Sequence, residues 1–184
     1  MRTTQSGQSA LLLLDAIDIL VHEQIAYAVI GAMAASVHGV LRASLDADAV
    51  MSITTQKLGA LEETFKKAGF STELRQGDYD DPIPALLAVS DTFDNRVDLL
   101  AGLRGLDAEA FVRAVDVPFH AKNLRVIGRE DFIAMKVFAG SPQDMEDARR
   151  AIHVARESID KSLLLRLTQG FGKDALRNLE KLFP

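Results

Sequence analysis

Residues 45–53, LDADAVMSI, constrain the fold more than any other stretch of the chain. Apolar and polar positions alternate with period two, the pattern of a strand buried on one face. Leu45, Ala47, Ala49 and Met51 are expected to point one way, and Asp46, Asp48, Val50 and Ser52 the other. Asp46 and Asp48 therefore share one face of an otherwise apolar strand. Like charges this close repel and are costly to bury, so a bound cation or a polar cleft is expected beside them. Oxygen donors from carboxylates suit Mg2+, which also keeps substrate phosphates as ligands.

The flanking pattern supplies partners for such a strand. Ala10–Val21 reads as an amphipathic helix that Ser6 or Ser9 could cap. Residues 25–30, IAYAVI, read as a buried strand ended by Gly31, and residues 32–37 as a short helix closed by Gly39. Val40–Ser44 is a link, and Thr54 or Thr55 caps a helix running to Lys67. Strands are expected over 70–75, 85–90 and 96–100, the last two joined by turn chemistry at Asp94-Asn95, with a polar loop at 77–84. A short helix is expected over 107–114, then strands 117–120 and 124–127 around Lys122-Asn123. From Glu130 everything reads helical, over 130–139, 142–156, 160–167 and 173–182, with Pro142 in the first turn behind Ser141 as cap. The order predicts an α+β fold: a mixed central sheet in residues 1–128 and a helical C-terminal subdomain in 129–184.

Composition narrows the function classes. With 184 residues, 48% of them hydrophobic and 26% charged, the chain can bury a core without a metal or disulfide staple. The absence of cysteine excludes disulfides, zinc–thiolate sites and cysteine nucleophiles. A net charge of −5 argues against non-specific DNA binding. The uncharged stretch 25–41 is too short to span a membrane, for which about 20 apolar residues are needed. Asp15 and Asp18 interrupt the Leu11–Leu14 run that resembles a signal peptide's apolar region, so a cytoplasmic protein is expected.

The remaining acids differ in weight. A second Asp-x-Asp pair, Asp78 and Asp80, lies in the polar loop and reads as a solvated turn. Asp98 is flanked by Val97, Leu99 and Leu100 in a predicted strand, where it either joins a site or pairs with Arg96 or Arg104. Asp144 and Asp147, three apart on a helix, share a face and could pair with Lys136 on the helix before. The four histidines show no metal spacing.

Taken in order, a hydrophobic residue, Gly31-Ala32, the spacer 33–45, Asp46-x-Asp48 and a later Val97-Asp98-Leu99 resemble the nucleotidyltransferases of the DNA polymerase β-like superfamily. The stretches YAVIGAMAASVHGVLRASLDADAV (27–50) and DFIAMKVFAGSPQDMEDA (131–148) are most similar to the small bacterial AbiEii-type nucleotidyltransferases. Ala32 stands where that family has Gly or Ser, Ser44 where it has Thr, and Gln143 where an Arg often precedes the helical Asp. The resemblance implies transfer of a nucleoside monophosphate from an NTP to an RNA, protein or small-molecule acceptor. It assigns Asp46, Asp48 and Asp98 to Mg2+ or Mn2+, with Asp98 also accepting the acceptor's proton, and makes Lys136 catalytic. Gly31, Ala32, Arg42, Ser44 and Asp147 would bind the nucleotide, and a cognate antitoxin is an implied partner. The alternative is a catalytically quiet relative that binds nucleotide or a partner in a toxin–antitoxin-like pair.

Overall fold

The computed structural model describes residues 2–42, 44–78 and 81–183. The expected link 40–44 and loop 77–84 contain Ala43, Tyr79 and Asp80, which lie outside the described residues. The chain forms two compact units. Unit 1 takes Met1–Ala32 and Ala43–Arg104, and unit 2 takes Met33–Arg42 and Gly105–Pro184. The expected boundary at residue 128 falls inside unit 2.

Unit 1 is a mixed sheet with helices on one face. Its strands are β1 (Tyr27–Val29), β2 (Ala47–Met51), β3 (Ser71–Gln76), β4 (Ala85–Ser90) and β5 (Arg96–Ala101), and they run in the order β3-β4-β5-β2-β1. β2 and β5 pair in parallel, and the other pairs in this unit are antiparallel. The alternation in β2 works as expected for Ala47, Ala49 and Met51, all buried on the face that also carries Val97, Leu99, Leu87 and Val89. Helices α1 (Ser9–His22) and α3 (Leu58–Lys67) cover that face with Leu13, Leu20, Leu58 and Phe65, each fully buried. Burying one such side chain contributes about 1.5–3 kcal/mol, so this face fixes the register. Leu45 departs from expectation: the strand begins only at Ala47, and Leu45 is 81% exposed. Neither Thr54 nor Thr55 gives a side-chain cap to the 3-10 turn Thr55–Lys57 that leads into α3.

Helix α2 (Gly31–Val37) begins in unit 1 and continues into unit 2. Unit 2 otherwise consists of a short helix α4 (Ala110–Arg113), the hairpin β6 (Val115–Phe119) and β7 (Lys122–Val126), and helices α5 (Arg129–Ala139), α6 (Pro142–Ala155), α7 (Lys161–Gly170) and α8 (Lys173–Glu180). Lys122 and Asn123, expected to make the hairpin turn, belong to β7 instead. The turn falls at His120, whose φ is +52°. α5 packs against α6, α7 and α8 through Phe132, Ile133, Ala134 and Val137. Its end is set by Gly140, left-handed at φ +68°, and α6 starts two residues later with Ser141 as cap and Pro142 in its first turn. Among the described residues no helix is long and apolar enough to cross a membrane.

Candidate active site

The face of the unit 1 sheet opposite α1 and α3 carries the charges. Asp48 of β2 is the register partner of Asp98 of β5, Asp98 is that of Ala88, and Ala88 that of Glu73. Register partners on neighbouring strands lie about 5 Å apart and face the same side, so Asp48 and Asp98 stand side by side. Both are half-buried, whereas Asp46 and Ser44 are exposed ahead of the strand.

Gly31 closes one side of this face. Ile30 N donates to Asp48 O at 2.9 Å, extending the β1–β2 ladder up to the glycine. Gly31 has a φ of +62°, and a Cβ built there would fall on Asp48 Oδ2. Only glycine lets the backbone pass this close to the carboxylate. Ala32, the next residue, is buried.

Arg96, two residues before Asp98 and so on the same face, brings a cation next to this row. Its Nε donates to Asp98 Oδ1 at 2.8 Å, and its Nη1 lies 3.8 Å from Glu73. The Asp98 hydrogen bond, with Asp98, Glu73 and Asp46 nearby, holds the guanidinium pKa above its ordinary value despite burial. Ser9, with Ser6 one of the two cap candidates for α1, is the helix's first residue and makes no cap. Its Oγ donates to Leu45 O at 2.6 Å and accepts from Arg96 N at 3.2 Å. Those partners lie 36 and 87 residues away, beyond any local signal.

In unit 2 a second charged group gathers Arg42, Lys136, Gln143, Asp144 and Asp147. Lys136 donates to Asp144 at 2.7 Å and lies 3.0 Å from Asp147 Oδ2, with Arg42 at 3.5 Å from the same oxygen. Gln143, where an arginine was noted as frequent, donates to Asp147 Oδ1 at 2.8 Å. The Asp147 side chain has no exposure. Burial alone would raise the Asp144 pKa, but hydrogen bonds from Lys136 and Ser141 outweigh it and hold the carboxyl below its usual range. His38 is buried, and its Nε2 donates to Ile127 O at 2.9 Å. Its Nε2 must carry the hydrogen, because a carbonyl only accepts. Burial pushes its pKa down.

Among the described residues no group of three or more His, Asp or Glu side chains could hold a metal ion by itself. The chemistry of the donor set nevertheless fits Mg2+, which is commonly bound by one or two carboxylates and completes its shell with phosphate and water. Asp48 and Asp98 are such a pair, and the missing side chain of Gly31 is what lets the Asp48 carboxylate sit against the backbone there.

No protein-family model matches the sequence, and no curated protein does. Solved structures match along nearly the whole chain. The antibiotic-resistance factor ANT(2'')-Ia aligns with a TM-score of 0.62 at 14% identity, over 96% of this chain and 97% of its own. An antigenic nucleotidyltransferase-like protein from Paracoccidioides brasiliensis aligns with a TM-score of 0.57 at 15% identity, over 98% and 89%. A nucleotidyltransferase described as putative, from Thermotoga maritima, gives 0.56 at 14%, over 83% and 97%. The chain has the nucleotidyltransferase fold. At these identities the likeness speaks for fold alone.

Proposed function

We propose that the chain is a metal-dependent nucleotidyltransferase that moves a nucleoside monophosphate from an NTP to a hydroxyl-bearing acceptor. The observation behind this reading is the Asp48–Asp98 register pair beside the side-chain-free backbone of Gly31, on a fold shared with nucleotidyltransferases. In the reading an acceptor oxygen attacks the α-phosphorus, the bond to pyrophosphate breaks, and pyrophosphate leaves with the bonding electrons. Divalent ions, when bound, would neutralise the attacking and leaving oxygens of this in-line transfer. Asp46, Asp48 and Asp98 would hold them, and Asp98 would take the acceptor's proton on its carboxylate. Gly31, with Ala32 and Ser44, would admit the triphosphate to the face. In unit 2 the proposal gives Lys136, Arg42 and Asp147 a positioning role within their own cluster, since their charges face one another.

The acceptor is proposed as a small molecule, with RNA and protein as the other classes. ANT(2'')-Ia is also solved in complex with adenylyl-2''-tobramycin, and the lincosamide adenylyltransferase LnuA, aligned at a TM-score of 0.50, with lincomycin bound. Incubation with α-labelled NTPs, Mg2+ or Mn2+, and pools of small molecules, RNA or protein tests the reading. Label should move in the wild type and stay in the nucleotide for Asp48→Asn and Asp98→Asn. Transfer that survives both substitutions sinks the enzymatic reading. The Arg96–Asp98 ion pair favours a second reading, in which the arginine replaces a metal and the chain binds nucleotide or an antitoxin-like partner without transfer. Tight NTP binding with no transferred label in the wild type would select it.

A further inference from the structure

Ser9 is the first residue of α1, yet its hydroxyl serves the lead-in to β2 and the first residue of β5 rather than the helix. The residue is 4% exposed and bridges Leu45 O and Arg96 N. Leu45 immediately precedes Asp46, and Arg96 opens β5 two residues before Asp98. The β2–β5 ladder begins only at Ala47 and Val97, and the Leu45 side chain faces solvent. Strand pairing and side-chain burial thus both stop short of the segment that carries Asp46.

The bridge stands on a fixed base. Gln8 N donates to Asn95 Oδ1 at 2.6 Å, and Asn95, 1% exposed, is held in turn by Asp91 through Nδ2 at 2.8 Å and its own N at 3.0 Å. We infer that Ser9 is a positioning residue which sets Asp46 against Asp98 by tying together the backbone just ahead of the β2–β5 ladder. The inference rests on the reading of these carboxylates as a metal and nucleotide site. A hydroxyl suits the task because it accepts from an N–H and donates to a carbonyl at once. Alanine would leave both backbone groups without that partner and free the 45–46 segment, while the ladder from Ala47 onward stays intact. A displacement of about 1 Å at a reacting group costs up to about a hundredfold in rate, so the site should register the loss before the fold does.

The test follows Mn2+ binding to the full chain by the loss of the free-ion EPR signal, with a non-hydrolysable NTP analogue present. Wild type should bind, Ser9→Ala should bind about ten- to hundredfold more weakly, as when a partner that orients metal ligands is removed, and Ser9→Thr, which keeps Oγ, should recover most of the affinity. Asp46→Asn should weaken binding by itself, and adding Ser9→Ala to it should cost nothing more, because coupled residues are non-additive. Unchanged affinity in Ser9→Ala, or losses that simply add, would overturn the inference. Wild type that fails to bind Mn2+ would overturn the functional reading instead. Should Ser9→Ala not fold, Ser9→Cys takes its place, its longer and weaker donor predicting the same direction.

Discussion

At Gly31 a left-handed φ of +62° coincides with the approach of Asp48 Oδ2, so a side chain there is opposed twice. Gly69 separates the two effects: its φ is +90°, but a Cβ at that position meets nothing within 4 Å. Gly69→Ala should bear backbone strain alone, about 1–3 kcal/mol. Gly31→Ala should cost more, because Asp48 must also move, and it should weaken Mn2+ binding as Gly69→Ala does not. Urea midpoints and Mn2+ titrations of the two variants check this; equal effects on both would mean that Gly31 matters only as a turn. Arg96-x-Asp98 was legible, since a strand turns a two-residue spacing directly into a shared face, whereas for Asp46-x-Asp48 the same rule does not apply because β2 begins only at Ala47. Ser9 was not legible. Its cue, a serine ahead of an apolar helical run, reads equally well as a cap.

Helix α6 shows a cap doing two jobs. Ser141 Oγ accepts from Asp144 N at 3.1 Å and donates to the Asp144 carboxylate at 2.5 Å, which in turn accepts from Lys136 of α5. Ser141→Ala should cost about 1 kcal/mol as a lost cap, plus a pH-dependent part from Asp144. The carboxyl sits below its usual range when folded, so its contribution is fully present above its unfolded pKa of about 3.9 and is lost as pH falls through the lower folded value. Lys136 and Ser141 both hold that pKa down, so the stability gap between wild type and Ser141→Ala should narrow below about pH 4. Urea unfolding at pH 7 and pH 3 measures it, and a gap independent of pH would mean Lys136 alone sets the titration. Element types were largely legible here, because a Ser-Pro start, a Gly stop and helical spacing agree with one another. Edges failed where a local rule was outvoted. Turn residues Lys122-Asn123 were drawn into β7, and the hairpin turned at His120 in a left-handed conformation.

On the scale of the molecule, the division into units is the feature least visible in the sequence. Composition changes after about residue 128, where strands give way to helices, and this suggested a cut there. The contacts cut differently, because residues 33–42 group with residues 105–184 although some sixty residues separate them. Within that unit His38 bonds Ile127 O and lies 5.2 Å from the Phe132 ring, Gly39 lies against Val154, and Arg42 sits 3.5 Å from buried Asp147. Losing the His38 hydrogen bond and ring contact removes about 1 kcal/mol each, and losing Arg42 strips one counter-charge from a carboxylate with no exposure. Against a net stability of about 5–15 kcal/mol for a whole domain, a fragment of residues 105–184 should keep its helices but melt broadly. A synthetic peptide of residues 33–42 should restore a sharper transition, and the same peptide with His38→Ala should restore less. Circular dichroism melts of the fragment with each peptide decide the matter. A sharp transition for the fragment alone would mean that the C-terminal unit folds without its N-terminal segment, and the boundary would then lie where the contiguous chain begins, at Gly105.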